Sequence, residues 1–260
     1  MRGIGIIMVA AVAVVVMAVA VGSPALSSNE TQERYGIIGA LSEEVERLLD
    51  EMNETDCQKI GDTEFHVGKL CGKNVIVAQC GEGKVNAAMC AQTMITHFGA
   101  TAVINTGVAG TLSAEVTIGH IVISTEAVQH DYDYKEKTGA PGIIPNVGTV
   151  AIKADDKLRE TAANAISKTA FGTVVHQGRV CTGDQFISEP DEIQKIKDNF
   201  GGLCCEMEGG AIAQVCYLNK VPFVIIRAIS DGLDPGDFEK FVKEMAALCA
   251  NMTMEMLKEL

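Results

Sequence analysis

The sequence predicts an α/β fold in which a mostly parallel mixed sheet is covered by helices on both faces, and three observations predict it. Short β-branched runs alternate with stretches of helical periodicity from residue 35 onward. The chain has 260 residues, 47% of them hydrophobic, which suffices for one domain with a sizeable core. No internal repeat or low-complexity linker interrupts the pattern after residue 34, so residues 35–260 read as a single domain.

The elements follow in order. "YGIIGA" (35–40) is the first strand. Behind Ser42, a reasonable N-cap, Val45, Leu48, Leu49 and Met52 repeat at i, i+3, i+4 and i+7, a helix. "NVIVAQC" (74–80) is a strand and "KVNAAMCAQTMITHF" (84–98) a helix. "TAVINTG" (101–107) and "HIVISTEAV" (120–128) are strands, and the segment "NTGVAG" (105–110) between them reads as a glycine-rich turn. Residues 154–168 and 190–200 are helical, with a weaker strand at 173–183 between them. "GGAIAQVCYLN" (209–219), nearly without charge, is a buried helix, "VPFVIIRAIS" (221–230) the last strand and 237–260 the last helix. Strands without polar alternation belong to a sheet covered on both faces.

Ligands of such sheets bind beyond the carboxyl ends of the strands. There the sequence puts Glu43 and Glu44, then the glycines of 105–110, then "TGDQFIS" (182–188), then "RAISD" (227–231). Acids, one arginine and glycines thus gather on one edge. The formal charge of −13 argues against nucleic acid as a partner and favours a small molecule. The five histidines are dispersed without metal-ligand spacing, so no metal and no cofactor is expected; His130 alone is set aside as a candidate for a role. The nine cysteines include no C-x-x-C pair and sit mostly in apolar runs, which predicts buried free thiols.

Residues 1–34 stand apart. Arg2 precedes an apolar run of 18 residues, Ile4 to Val21, and a small-x-small cleavage site at Ala20–Gly22. They read as a signal peptide or N-terminal membrane anchor with a short linker, hence export or membrane association through residues 4–21. A start codon placed too far upstream is the competing reading, with a cytoplasmic enzyme as its consequence. It is weakened because no Met lies between Met17 and Met52. Free thiols fit poorly with an oxidising compartment.

"YGIIGALSEEVERLL", "VINTGVAGTL", "TGDQFIS" and "CEMEGGAIAQVCYLNKVPFVIIRAISD" occur in this order from Tyr35 to the end of the chain. Together they resemble the 5′-methylthioadenosine/S-adenosylhomocysteine nucleosidases. The resemblance implies a nucleoside phosphorylase-like three-layer α/β/α fold. It also implies hydrolysis of the N-glycosidic bond of methylthioadenosine, S-adenosylhomocysteine or 5′-deoxyadenosine, without cofactor, in a homodimer. It gives Glu44 the role of general base, Asp231 that of the acid at adenine N7, Ser230 that of orienting Asp231, and Arg227 that of positioning water. Glu208 and Met207 would hold the ribose, Phe186 and Ile187 the adenine, and Val108, Glu82 and Phe238 would complete the substrate pocket. Glu206 receives no role beyond an ion pair or solvent exposure.

Three departures stand out: Val108 in place of a serine of some relatives, Glu82 where relatives are apolar, and the partner-contacting segment 129–146, which contains Tyr134 and Lys135. For the last two, either Glu82 and Lys135 point to water or pair with each other and the 5′ pocket stays apolar, or the pocket admits polar groups. Two rival functions remain beside hydrolysis. A phosphorylase needs a cationic phosphate site, and Arg227 is the one site cation evident here. An exported nucleoside-binding protein needs no acid–base pair.

Overall fold

The computed structural model describes residues 32–169, 172–232 and 236–260, so the leader lies outside the described residues. The order is β1 (Tyr35–Gly39), α1 (Ser42–Asp50), β2 (Asn53–Ile60), β3 (Thr63–Leu70), β4 (Lys73–Gln79), α2 (Lys84–Thr96), β5 (Ala102–Thr111) and β6 (Ile121–Gln129). Then come α3 (Lys135–Thr138), β7 (Ala151–Lys153), α4 (Asp156–Ser167), β8 (Val175–Thr182), α5 (Pro190–Phe200), β9 (Cys204–Glu206), α6 (Gly209–Asn219), β10 (Phe223–Asp231) and α7 (Asp237–Glu259). Among the described residues no helix is long and apolar enough to cross a membrane.

One mixed sheet runs β10-β6-β8-β9-β5-β1-β4-β3-β2, and β10 also pairs with β5. The strands β5, β10, β6, β8 and β9 therefore close on themselves. Parallel ladders join β4, β1, β5 and β10, as the alternation predicts, while the β2–β3–β4 edge is antiparallel. Two apolar layers sandwich the sheet. One packs Ala87, Cys90, Met94, Ile212 and Cys216 of α2 and α6 against Ile38, Ile76 and Ile225. The other packs Val45, Leu48, Leu158, Cys249 and Leu257 of α1, α4 and α7 against Ile37, Val77 and Ile104. All nine residues of β10 are buried, which explains why its sequence shows no polar alternation.

The structure corrects the sequence in four places. The segment 105–110 is no turn: β5 runs straight through it to Thr111. Leu41, not Ser42, is the N-cap of α1, and the side chain of Glu44 reaches back to the Leu41 N–H instead. The hairpin β2–β3 escapes periodicity because seven consecutive residues of β2, Asn53–Lys59, are exposed and offer no apolar alternation. β7 and β9 are three residues each, too short to carry a period. All nine cysteines are free, and seven of them are buried.

Candidate active site

The carboxyl ends of β1, β5, β9 and β10 converge on one open cavity. All eleven residues singled out from the sequence line it: Glu44, Glu82, Val108, Phe186, Ile187, Met207, Glu208, Arg227, Ser230, Asp231 and Phe238. Lys135 does not line it; its ammonium pairs with Asp133 at 3.3 Å.

Arg227 is the hub. It is 1% exposed, the largest side chain in the interior. Nη2 pairs with Glu206 and donates to Asn105 Oδ1 at 2.6 Å. Glu208 lies 3.6 Å from the same nitrogen and Glu44 3.8 Å from Nη1, which also donates to the Val108 carbonyl at 3.2 Å. Burial works against the guanidinium charge, but Glu206, Glu208 and Glu44 outweigh it and hold the group firmly protonated.

Glu44 sits in the first turn of α1, where the helix dipole favours an anion. Its oxygens accept backbone N–H bonds from Ala40 at 2.6 Å, Leu41 at 3.0 Å and Val108 at 2.8 Å. Burial raises its carboxyl above the usual value, and Arg227 and these three donors hold the rise back. Asp231 has fewer partners: Ser230 Oγ donates to its Oδ1 at 2.6 Å. Burial again raises it, with a smaller push from Asp237. The two carboxyls are offset along β5, because Glu44 binds Val108 while Asp231 stands opposite Gly110. Two residues of strand span roughly 7 Å. The cavity thus holds one carboxylate supported by three N–H donors and one carboxyl with weaker support.

Glu206 is neither exposed nor idle. It is 8% exposed and accepts from the N–H groups of Glu208 (3.1 Å) and Gly209 (2.7 Å) and from the Thr182 hydroxyl. It therefore satisfies the orphan donors that open α6 while pairing Arg227. Glu208 accepts from Gly83 N–H at 2.8 Å, and burial pushes its carboxyl up to about 8 against the pull of Arg227. Gly83 has φ +93°, a conformation that favours glycine, and Lys84 beside it is clamped by Asp131 at 2.6 Å. Phe186 is 55% exposed at the rim, edge-on to Phe238 with ring centroids 5.4 Å apart. Glu82 is exposed there too. Periodicity missed Glu206, Asn105, Gly83 and Lys84. The Glu-x-x-Gly step into α6 is the one local signal that marks Glu206 as a helix-opening acceptor.

The glycines have tighter reasons than chain reversal. A Cβ on Gly107 would lie 2.3 Å from both Arg227 Nη1 and Glu44 Oε1, and one on Gly110 would lie 2.6 Å from Asp231 Oδ2. On Gly209 it would meet Ile225 at 2.6 Å, and on Gly210 Thr182 at 2.9 Å, so this pair makes room for packing of α6. His130 lies apart from the cavity lining, and its Nε2 is buried without a hydrogen-bond partner among the described residues.

Residues 34–258 match the phosphorylase superfamily. The chain is 38% identical over 234 residues to a 5′-methylthioadenosine/S-adenosylhomocysteine nucleosidase of Shewanella loihica, spanning 87% of this chain and 100% of that protein. It belongs to this nucleosidase family of the phosphorylase superfamily. A nucleosidase of the same description from Bacillus thuringiensis is 37% identical, over 87% of this chain and 99% of its own. Among solved structures, the Neisseria meningitidis nucleosidase in complex with methylthio-immucillin-A superposes with a TM-score of 0.84 at 37% identity, over 88% of this chain and 100% of that one. A Helicobacter pylori futalosine hydrolase superposes with a TM-score of 0.83 at 29% identity, over 88% and 99%. Membership of the nucleosidase family accords with the resemblance carried by the sequence motifs.

Gly107 supplies a sharp test of this packing. Gly107→Ala must push Arg227 and Glu44 apart, and displacements of about 1 Å cost ~10²-fold in rate. The expected outcome is a folded protein by circular dichroism with kcat reduced about 100-fold or more. Unchanged kcat would show that the Arg227–Glu44 spacing is not required.

Proposed function

We propose that this nucleosidase hydrolyses the N-glycosidic bond of 5′-substituted adenosines, methylthioadenosine and S-adenosylhomocysteine, to adenine and a 5-substituted ribose. The observation that carries the reading is the unlike pair Glu44 and Asp231 in one cavity. Cleavage builds positive charge on the ribose and negative charge on the leaving base. Asp231, poorly supported as an anion, keeps a proton for adenine N7, and Ser230 orients it. Glu44, held by three N–H donors, takes a proton from water and favours the oxocarbenium-like sugar. Arg227 fixes Glu44 and, with it, the water. Glu208 and Met207 hold the ribose, while Phe186, Ile187 and Phe238 enclose the base; Val108 lines the cavity beside Glu44.

The cavity charge supports hydrolysis over phosphorolysis. Glu44, Glu82, Glu206, Glu208 and Asp231 line it against one cation, Arg227. That cation is already ringed by carboxylates, and Asn105 is engaged between it and the Ile38 carbonyl. A phosphate dianion finds no free positive partner there.

We further propose a homodimer whose partner chain closes the 5′ end of the cavity near residues 129–140. Val85 and Met89, one turn apart on α2, are 70% and 62% exposed close to Glu82, and Tyr134 is 46% exposed. Sedimentation velocity should give a dimer that Met89→Lys weakens; a fully active wild-type monomer contradicts it. Export or anchoring through residues 4–21 completes the proposal, since the superfamily match begins only at residue 34. Cell fractionation that finds the full-length chain only in the cytosol would rule it out.

Adenine release tests the chemistry. Asp231→Asn should lower kcat by ~10²–10⁴-fold with little change in ligand affinity. Wild-type kcat/KM should be bell-shaped in pH. Glu44 must be ionised, so rate is lost as pH falls through its raised pKa. Asp231 must be protonated, so rate is lost as pH climbs through its own. An unaltered kcat in Asp231→Asn removes Asp231 from the mechanism. At the rim, S-adenosylhomocysteine should be handled at least as well as methylthioadenosine, and Glu82→Ile should shift kcat/KM toward the latter. A wild-type preference for methylthioadenosine that Glu82→Ile leaves unmoved would place Glu82 outside substrate selection.

A further inference from the structure

Far from the cavity, the edge hairpin β2–β3 carries a second group of chemically active side chains. Cys57 and His66 stand directly opposite each other in the antiparallel ladder. Side chains so placed have Cβ atoms about 5 Å apart on one face. Glu64, two residues before His66, shares that face because strand side chains alternate. The Cys57 Sγ, a ring nitrogen of His66 and a carboxylate oxygen of Glu64 all lie within 4.8 Å of one another. Around a tetrahedral zinc ion, thiolate and imidazole donor atoms sit roughly 3.5 Å apart. Small rotations of Cys57 and Glu64, both exposed, close that gap.

The local partners leave the three groups available. Glu64 is 4.0 Å from His66 Nε2, a loose approach. Lys59, which faces Glu64 across the ladder, leans toward Asp62 at 3.9 Å. Among the described residues neither the Cys57 thiol nor the His66 ring has a closer side-chain partner. The strand itself lacks anchorage: Asn53–Lys59 is exposed throughout, and β2 is the outermost strand of the sheet. A clip between Cys57 and His66 would fix the register of an edge that apolar packing does not fix.

We propose that Cys57, His66 and Glu64 form a surface site for a zinc-type divalent cation, which staples the β2–β3 hairpin. One thiolate, one imidazole and one carboxylate match a borderline-soft ion rather than magnesium or calcium, which take oxygen ligands. Water completes the fourth position. As the sulfur–metal bond forms, the Cys57 thiol proton leaves to solvent; no electron is transferred. The histidine spacings of the sequence gave no sign of this site, because its ligands meet across a hairpin and include a single histidine.

The test uses the full chain, stripped of metal by a chelator and kept reduced so that Cys57 cannot form an intermolecular disulfide. Titration with zinc against a chromogenic chelator should show one ion per chain. Cys57→Ser and His66→Ala should each weaken that binding by ~100-fold or more, and Glu64→Gln by ~10-fold. Cobalt(II) should give a thiolate-to-metal absorption band that Cys57→Ser abolishes. Adenine release by these variants should equal that of the parent, since all three residues lie outside the cavity, and this establishes that the variants are folded. Absence of stoichiometric zinc binding overturns the proposal. So does binding that survives Cys57→Ser and His66→Ala unchanged, which would assign the metal to other ligands.

Discussion

A guanidinium buried among carboxylates organises this molecule. Arg227 meets Glu44, Glu206 and Glu208 inside the sheet, and each of the four is almost sealed from solvent. Removing such ions from water costs several kcal/mol each, and their mutual attraction offsets the cost only where geometry and hydrogen bonds are complete. Three acids against one base leave an excess of negative charge. Burial, with a smaller push from Glu206 and Glu44, raises the Glu208 carboxyl to about 8 against the pull of Arg227, and a proton held there would lower the repulsion. Loss of the arginine would leave three carboxylates uncompensated, a defect of the class that costs about 3–5 kcal/mol.

This hub ties distant segments together. Glu44 comes from the start of α1, Glu206 from β9, Glu208 from the opening of α6 and Arg227 from β10. Each is also hydrogen-bonded to backbone, so charge pairing and strand-end geometry support each other. The glycines of β5 follow from it as well, because any side chain at 107 would occupy the space of the Arg227–Glu44 contact. The same arrangement separates the two acids that face the cavity. Glu44 has the donors and the cation that support an anion, whereas Asp231 has, among the described residues, the Ser230 hydroxyl set against burial and the nearby Asp237 carboxyl. Pairs of carboxyls held in unlike surroundings divide into base and acid.

Much of this was legible in the sequence, and the parts that were not share physical causes. The fully buried strands β1 and β10 announce themselves by their lack of polar alternation, and the uncharged α6 is buried over Gly209–Ala213 and at Cys216 but exposes Tyr217 and Leu218, so absence of charge overstated its burial. Glu44, Arg227 and Asp231 stand at strand ends and could be gathered on one edge from the sequence, whereas the rest of the cavity set was named through the resemblance of the motifs to the nucleosidase family. β5 was cut short at "NTGVAG" because glycine signals a turn locally, while its use here is to admit side chains from other elements. Glu206 carried no role for the same reason: its partners Thr182 and Arg227 are distant in sequence. β2 was missed because an exposed edge strand has no face to bury. Asn105 drew notice in the sequence only for not being an arginine before the glycines, and its contact with Arg227 appears in the structure.

The account rests on water, not phosphate, as the acceptor at the ribose carbon. The most direct test incubates the enzyme with methylthioadenosine in ¹⁸O-labelled water, with and without inorganic phosphate, and analyses the sugar by mass spectrometry. The account predicts adenine and free methylthioribose at equal rates in both, with one ¹⁸O incorporated from solvent in the hydrolytic step. Adenine release that requires phosphate, with a sugar 1-phosphate as product, would contradict it.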